Sequence, residues 1–192
     1  VNVLALAVEI LNQYEGYEDY DKMQDAFAKV YDLVEKSVSF VLPGAKKFAD
    51  SYKDDPVIYV MSSGASHEEA YAFSICLLME MQWMNSGSFH DGEFFHGPFE
   101  IVDKDVPFIL LMNEGKTRAL DSRALDFLNR FGAKVTVLDG KDFGLGSELH
   151  KSVVDYFNPI VLSAVLRVYA EQLAIVRNHP LTKRRYMWKL EY

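Results

Sequence analysis

The chain has 192 residues, a formal net charge of −8, 49% hydrophobic and 25% charged residues. That is ample apolar material for one globular core, and the acidic balance argues against nucleic acid or anionic membrane surfaces as general partners. The single cysteine, Cys76, excludes an intrachain disulfide framework or CxxC motif and fits a reducing, cytoplasmic setting; no apolar run reaches the roughly 20 residues of a membrane helix, and no signal-peptide pattern is present.

Val3, Leu6, Ala7, Ile10, Leu11 and Tyr14 form a helical stripe over Val1 to Tyr14, closed by Gly16. A chain that starts at Val1 rather than Met and enters a helix at once points to a fragment or a trimmed start. The acidic EGYEDYD reads as a linker. Asp21 is placed to cap a second helix through about Lys36, with Met23, Phe27, Val30, Tyr31 and Val34 on one face. Pro43 and Gly44 predict a break or kink before a further helix to Tyr52.

After the turn Lys53 to Pro56, Val57 to Met61 (VIYVM) reads as a strand buried on both faces, as in a parallel sheet. A loop of small residues, Ser62 to Ser66 (SSGAS), leads into an apolar helix. Strand, loop and helix in this order are the grammar of doubly wound α/β folds. The pattern repeats: Val106 to Met112 (VPFILLM) is a strand, Asn113 to Thr117 (NEGKT) a loop, Leu120 to Phe131 an amphipathic helix closed by Gly132, and Val135 to Leu138 (VTVL) a strand. Ligand sites of such folds lie at the carboxyl ends of the strands, which places SSGAS and NEGKT at one rim. A long apolar helix spans Asn158 to Arg177, and His179 and Pro180 precede the basic, aromatic tail KRRYMWKLEY, in which Lys183, Arg184 and Arg185 read as a solvated run, although a tail mixing Arg with Tyr186, Trp188 and Tyr192 can fold back on a surface or a neighbouring subunit.

Within the apolar helix, Glu80 is the only charge between Ala70 and Met84, surrounded at helical spacing by Phe73, Leu77, Leu78, Met81 and Met84. Burial disfavours its charged form unless a cation or backbone donors compensate, so the residue is either a base tuned for proton transfer or a structural Glu with a partner. His96 follows sixteen positions later, before Gly97 and Pro98, where any helix ends. An imidazole at a loop edge suits ring opening of a sugar or general acid–base work. His90, Asp91, Glu93 and His96 cluster in sequence without a metal-binding spacing, so no metal is expected; the Met and aromatic residues around Glu80 read as core packing. SSGAS could hold a phosphate with Ser62, Ser63, Ser66 and the amides of the following helix, whereas NEGKT lacks the full Walker pattern.

The strand-loop-helix units, the lone Glu80 and above all GEFFHGPFEIV (Gly92 to Val102) resemble the sugar isomerase (SIS) family, in particular the second half of its double-SIS enzymes, the isomerase part of glucosamine-6-phosphate synthase and the fructosamine-6-phosphate deglycases. In that family a helical Glu and a His in a G-E-x-x-H-G-P segment are separated by the same sixteen residues. The tail HPLTKRRYMWKLEY resembles the deglycase branch. The resemblance implies a three-layer αβα sandwich with a mainly parallel sheet, N-terminal helices and a long final helix plus tail. Residues 1–20 would then be a helix and linker from the preceding half and 21–192 the second SIS domain. It implies Glu80 and His96 as catalytic residues and a phosphate held chiefly by the loops of the first half, while Ser62, Ser63, Ser66, Glu93 and Arg185 of this chain are expected to contact substrate. It further implies a cofactor-independent reaction on a 6-phosphorylated fructosamine, a homodimer with a shared site, and little activity for this chain alone. A synthase-like or aldose–ketose isomerase activity, or a non-catalytic sugar-phosphate-binding module, are the alternatives.

Overall fold

Alternation along the strands decides how this chain layers. The computed structural model describes residues 1–191; Tyr192, the last aromatic of the tail, lies outside them. The strands are β1 (Val57–Ser62), β2 (Asn85–His90), β3 (Pro107–Met112) and β4 (Lys134–Asp139), all parallel in the order β2-β1-β3-β4. Ile58, Val60, Ile109 and Leu111 face one way, into a core closed by helices α2 (Tyr20–Tyr52), α3 (His67–Ala72, continued by a π-helical segment Phe73–Met81) and α6 (Asn158–Val176). Their neighbours Met61, Phe108, Leu110 and Met112 face the other way, against α4 (Arg118–Arg130) and Phe94. Opposite faces for successive residues follow from the strand period of two, and together they give the three-layer sandwich the sequence predicts. Helices α1 (Asn2–Glu15) and α5 (Leu145–Glu148) complete the elements used below.

Three details depart from the sequence reading. α2 is one continuous helix through Pro43, with no break before Tyr52. Proline removes a donor and displaces a carbonyl, but Pro43 and Ser39, whose carbonyl loses its partner, are both exposed, so water can take that hydrogen bond. Asp21 lies in the first turn of α2 rather than at its cap, which is Asp19. The sheet also has a fourth strand, β2, formed by NSGSFH and paired along its length with β1 from Val57↔Asn85 to Ser62↔His90. As the edge strand it is only partly buried, which is why no apolar run announces it.

A fourth departure is that one stretch, Val154–Val176, which contains α6, is long and apolar enough to cross a membrane by length and composition, where the sequence reading finds none. Here it is a core helix, with Val161, Leu162, Val165, Tyr169 and Leu173 buried in the same cluster as Phe48 and Ala49 of α2.

Candidate active site

Glu80 stands in the last turn of the π-helical segment, at the edge of the sheet where β1 and β2 begin. Its carboxylate accepts an ion pair from Arg184 at 3.0 Å, with 28% of the Glu80 side chain and 11% of the Arg184 side chain exposed. The compensating cation that an apolar setting demands is therefore supplied by the tail, and by Arg184 rather than Arg185. Arg184 is itself fixed: its guanidinium donates to the carbonyls of Leu181 at 2.7 Å and Lys183 at 3.0 Å, and the Lys189 ammonium donates to its carbonyl at 2.7 Å. The tail bends over the carboxylate because His179 is anchored, its carbonyl accepting a hydrogen bond from the buried Gln82 amide at 2.8 Å.

Met79, Glu80, Trp83, Met84 and Asn85 on one side and Arg184, Arg185, Tyr186 and Met187 on the other enclose a cavity of about 430 Å³. Sequence reasoning assigns the Met and aromatic residues around Glu80 to the core. Phe73, Leu78 and Met84 are buried, but Met79 is 39% exposed and Trp83 is half-buried, and both line this cavity. The cavity is open, mixed in polarity and carries one carboxylate flanked by cations, a setting suited to a polar, negatively charged small molecule.

His96 lies elsewhere. It ends a short turn, Phe94–His96, after β2, and the segment is held by aromatic packing on the α4 face of the sheet. Phe94 is fully buried, Phe95 meets Phe127 at 5.4 Å and Phe99 meets Phe127 at 5.7 Å. The Arg123 guanidinium sits 4.0 Å from the Phe95 ring centre. These anchors leave Glu93 and His96 exposed between them. Gly97, at φ 142, lets the chain turn there into Pro98. Glu80 on the α3 face and His96 on the α4 face are thus separated by the sheet, and the fold does not bring them together within one chain.

The rim at the carboxyl ends of the strands is tied to itself. Ser62, Ser63 and Ser66 are fully buried. The Ser62 hydroxyl donates to the Leu111 carbonyl at 3.0 Å, that of Ser63 to the Asp121 carboxylate, and that of Ser66 to the Asn113 side-chain oxygen. Asp121 also accepts the Asn113 backbone N–H at 2.7 Å, and Arg118 holds Asp139 through two contacts of 2.7 Å. None of the three serine hydroxyls expected to meet substrate is left at the surface. Of the acidic and histidine cluster, Asp91 is buried and His90 half-buried while Glu93 and His96 are exposed, and among the described residues the four do not converge into a metal-binding group. Asp91 is 2% exposed and neither of its carboxyl oxygens has a hydrogen-bond partner. Burial first, and the adjoining Asp121 carboxyl second, push its pKa up to about 9. Burial and the neighbouring His90 lower that of His67, whose ring lies 5.2 Å from His90.

No protein-family model matches the chain. In sequence it is 45% identical over 185 residues to fructosamine deglycase FrlB of Bacillus subtilis (strain 168), covering 96% of this chain and 55% of that protein. It is 30% identical over 131 residues to fructoselysine 6-phosphate deglycase of Escherichia coli (strain K12), covering 68% of this chain and 37% of that protein. In structure it matches a Salmonella typhimurium LT2 protein described as a phosphosugar isomerase, with TM-score 0.94 and 48% identity over 97% of this chain and 57% of that one. The C-terminal domain of glucosamine-fructose-6-phosphate aminotransferase from Francisella tularensis shares the fold at TM-score 0.79 and 15% identity, over 93% of this chain and 52% of that one. The chain spans about half the length of the curated relatives it matches in sequence, or less. By fold and by sequence, the chain is a homologue of the fructosamine deglycases, matching about half of such a protein and carrying the sugar isomerase (SIS) fold.

Proposed function

We propose that this chain is the second SIS half of a deglycase that cleaves 6-phosphorylated fructosamines to glucose 6-phosphate and an amino acid. The observation that carries the reading is Glu80: a carboxylate in a cavity clasped by the cationic tail, in a chain 45% identical to a fructosamine deglycase. In the reaction Glu80 removes a proton from C1 of the ketoamine, giving an enaminol, and returns it to C2, giving an aldimine. Water adds to the C1=N bond and the amine leaves, so the hydrolysis consumes one water and involves no oxidation or reduction. The substrate's own carbonyl and nitrogen carry the developing charge, and the chemistry calls for no cofactor.

His96 opens the sugar ring or relays protons to its oxygens. In this reading His96 serves the site of a neighbouring subunit and the working assembly is a cytoplasmic homodimer with shared sites, a reading supported by the sheet that stands between His96 and Glu80 in one chain. Glu93, exposed beside His96, and Arg185, on the wall of the Glu80 cavity, contact the substrate. The 6-phosphate is held chiefly by the other half of the protein, a reading supported by the serines of this half, which are buried with their hydroxyls bonded to Leu111, Asp121 and Asn113.

The test is release of glucose 6-phosphate from fructosamine 6-phosphates by the full-length protein. Glu80→Gln is expected to lower kcat by a factor of about 10² to 10⁴, the range for loss of a general base. Wild-type turnover in Glu80→Gln would overturn the assignment, and vigorous turnover by residues 1–192 alone would overturn the two-half reading.

A further inference from the structure

Trp83 is backbone-strained. Its φ of 56 lies in the left-handed region, which a bulky side chain occupies only when its surroundings hold it there, and such residues concentrate at ligand sites. The turn that closes the helix sets this backbone, with the Trp83 N–H donating to the Met79 carbonyl at 3.1 Å and the Met84 N–H to the Leu78 carbonyl at 2.9 Å, a place usually given to glycine, and packing on the indole holds the bulky side chain there. The His179 ring meets it edge-on at 4.4 Å with an interplanar angle of 88°, the Arg185 guanidinium carbon lies 4.3 Å from its centre, and the Lys183 ammonium 4.9 Å. Two cations on one indole are mutually repulsive. Among the described residues neither meets a carboxylate within ion-pair distance, although the chain carries a net charge of −8. Arg184, between them in sequence, is the tail cation that is paired, to Glu80. The concentration of positive charge is felt locally: burial, then Lys183, Arg177 and Arg185, lower the pKa of His179.

Stacking on an aromatic face fixes the plane of a guanidinium and leaves its N–H edge free, the geometry that takes a carboxylate through two parallel hydrogen bonds. Arg185 and Trp83 both line the Glu80 cavity. We propose that Trp83 is a platform that presents Arg185, supported by Lys183, to the carboxylate of the amino acid carried by the fructosamine, and so sets the enzyme's preference for amino-acid over simple-amine substrates. The inference rests on the deglycase reading and names the part of the substrate that its Glu80 site recognises. The amine substituent hangs directly from C1, the carbon at which Glu80 works, so it lies beside Glu80 and extends toward the open tail side of the cavity. The 6-phosphate is at the far end of the sugar.

The experiment compares kcat/KM of the full-length protein on three probes: fructoselysine 6-phosphate, the same compound lacking the lysine carboxylate (made from 1,5-diaminopentane), and unphosphorylated fructoselysine. Arg185 is exposed, and Arg185→Ala is expected to reduce the preference for the carboxylated over the decarboxylated 6-phosphate about tenfold or more, the size of a lost charge-assisted contact, with the loss mainly in KM. Arg185→Lys, which keeps the charge but not the planar fork, falls between, and Trp83→Leu reproduces the loss with Arg185 intact. Equal losses on the carboxylated and decarboxylated substrates overturn the proposal. So does an effect that persists without the carboxylate and vanishes without the phosphate, which would assign Arg185 to the phosphate. Wild-type protein that turns over none of the three sinks the deglycase reading itself, and the proposal with it.

Discussion

Replacing Asp91 by Asn should stabilise the protein, and more so as the pH rises. Asp91 is 2% exposed beside Asp121, and as two carboxylates neither can donate a hydrogen bond to the other. A proton on Asp91 supplies the missing donor, consistent with a pKa pushed from the usual 3.8 to about 9. Over that interval the folded state holds a proton that the unfolded chain has released. The contribution of this group to stability is therefore complete below about pH 4 and falls by about 1.4 kcal/mol per pH unit until about pH 9. At pH 7 the accumulated loss from this group is about 4 kcal/mol. Asn matches Asp in shape, stays neutral and brings its own N–H donors for Asp121. Urea denaturation at about pH 5.5 and about pH 8.5 measures the effect, and the advantage of Asp91→Asn over wild type should grow by about 4 kcal/mol between them. By contrast, Asp121→Ala strands the Asn113 backbone N–H, although the Ser63 hydroxyl keeps the Thr117 carbonyl at 3.3 Å, and at about pH 5.5 should destabilise by about 1–3 kcal/mol for that one buried group left unpaired. An Asp91→Asn advantage that is independent of pH, or a variant weaker than wild type throughout, would refute the reasoning.

Phe94→Ala removes a fully buried ring from the α4 face and should cost about 3–5 kcal/mol in chemical denaturation. In the full-length protein it should also lower activity more than Phe131→Ala, because Phe94 sits within the turn that presents His96 while the Phe131 ring is half exposed. Arg184→Ala breaks the ion pair and the carbonyl contacts that hold the tail over Glu80. Hydrogen exchange should quicken in residues 181–190 and stay unchanged in β3; unaltered exchange of the tail would show that Arg184 does not anchor it.

Much of this architecture was legible because strands β1, β3 and β4 are apolar runs between turn residues, and β3, in the middle of the sheet, is buried at all six positions. β2 was not, because an edge strand half open to water can be built from Asn, Ser and Gly. The continuity of α2 past Pro43 was hidden for a related reason: a proline need not end a helix where water can take up the carbonyl it frees. Glu80 stood out as a lone charge on an apolar face. The identity of its partner did not, since three consecutive cations, Lys183, Arg184 and Arg185, are equivalent in sequence and only the path of the tail selects Arg184. Trp83 escaped for the same reason: its neighbours His179, Lys183 and Arg185 lie about a hundred residues further along the chain. That Ser62, Ser63 and Ser66 turn inward depends on Asn113 and Asp121, whose burial no local pattern reveals.

The central claim, that Glu80 of one subunit works with His96 of another, is tested most directly by complementation in the full-length protein. Glu80→Gln and His96→Ala subunits, each nearly inactive alone, are co-expressed with different tags and the mixed dimer is purified. In a two-fold symmetric dimer with shared sites, one site of the mixed dimer carries both changes and the other carries neither, so the account predicts roughly half of the wild-type activity per dimer. A mixed dimer no more active than its parents would contradict it.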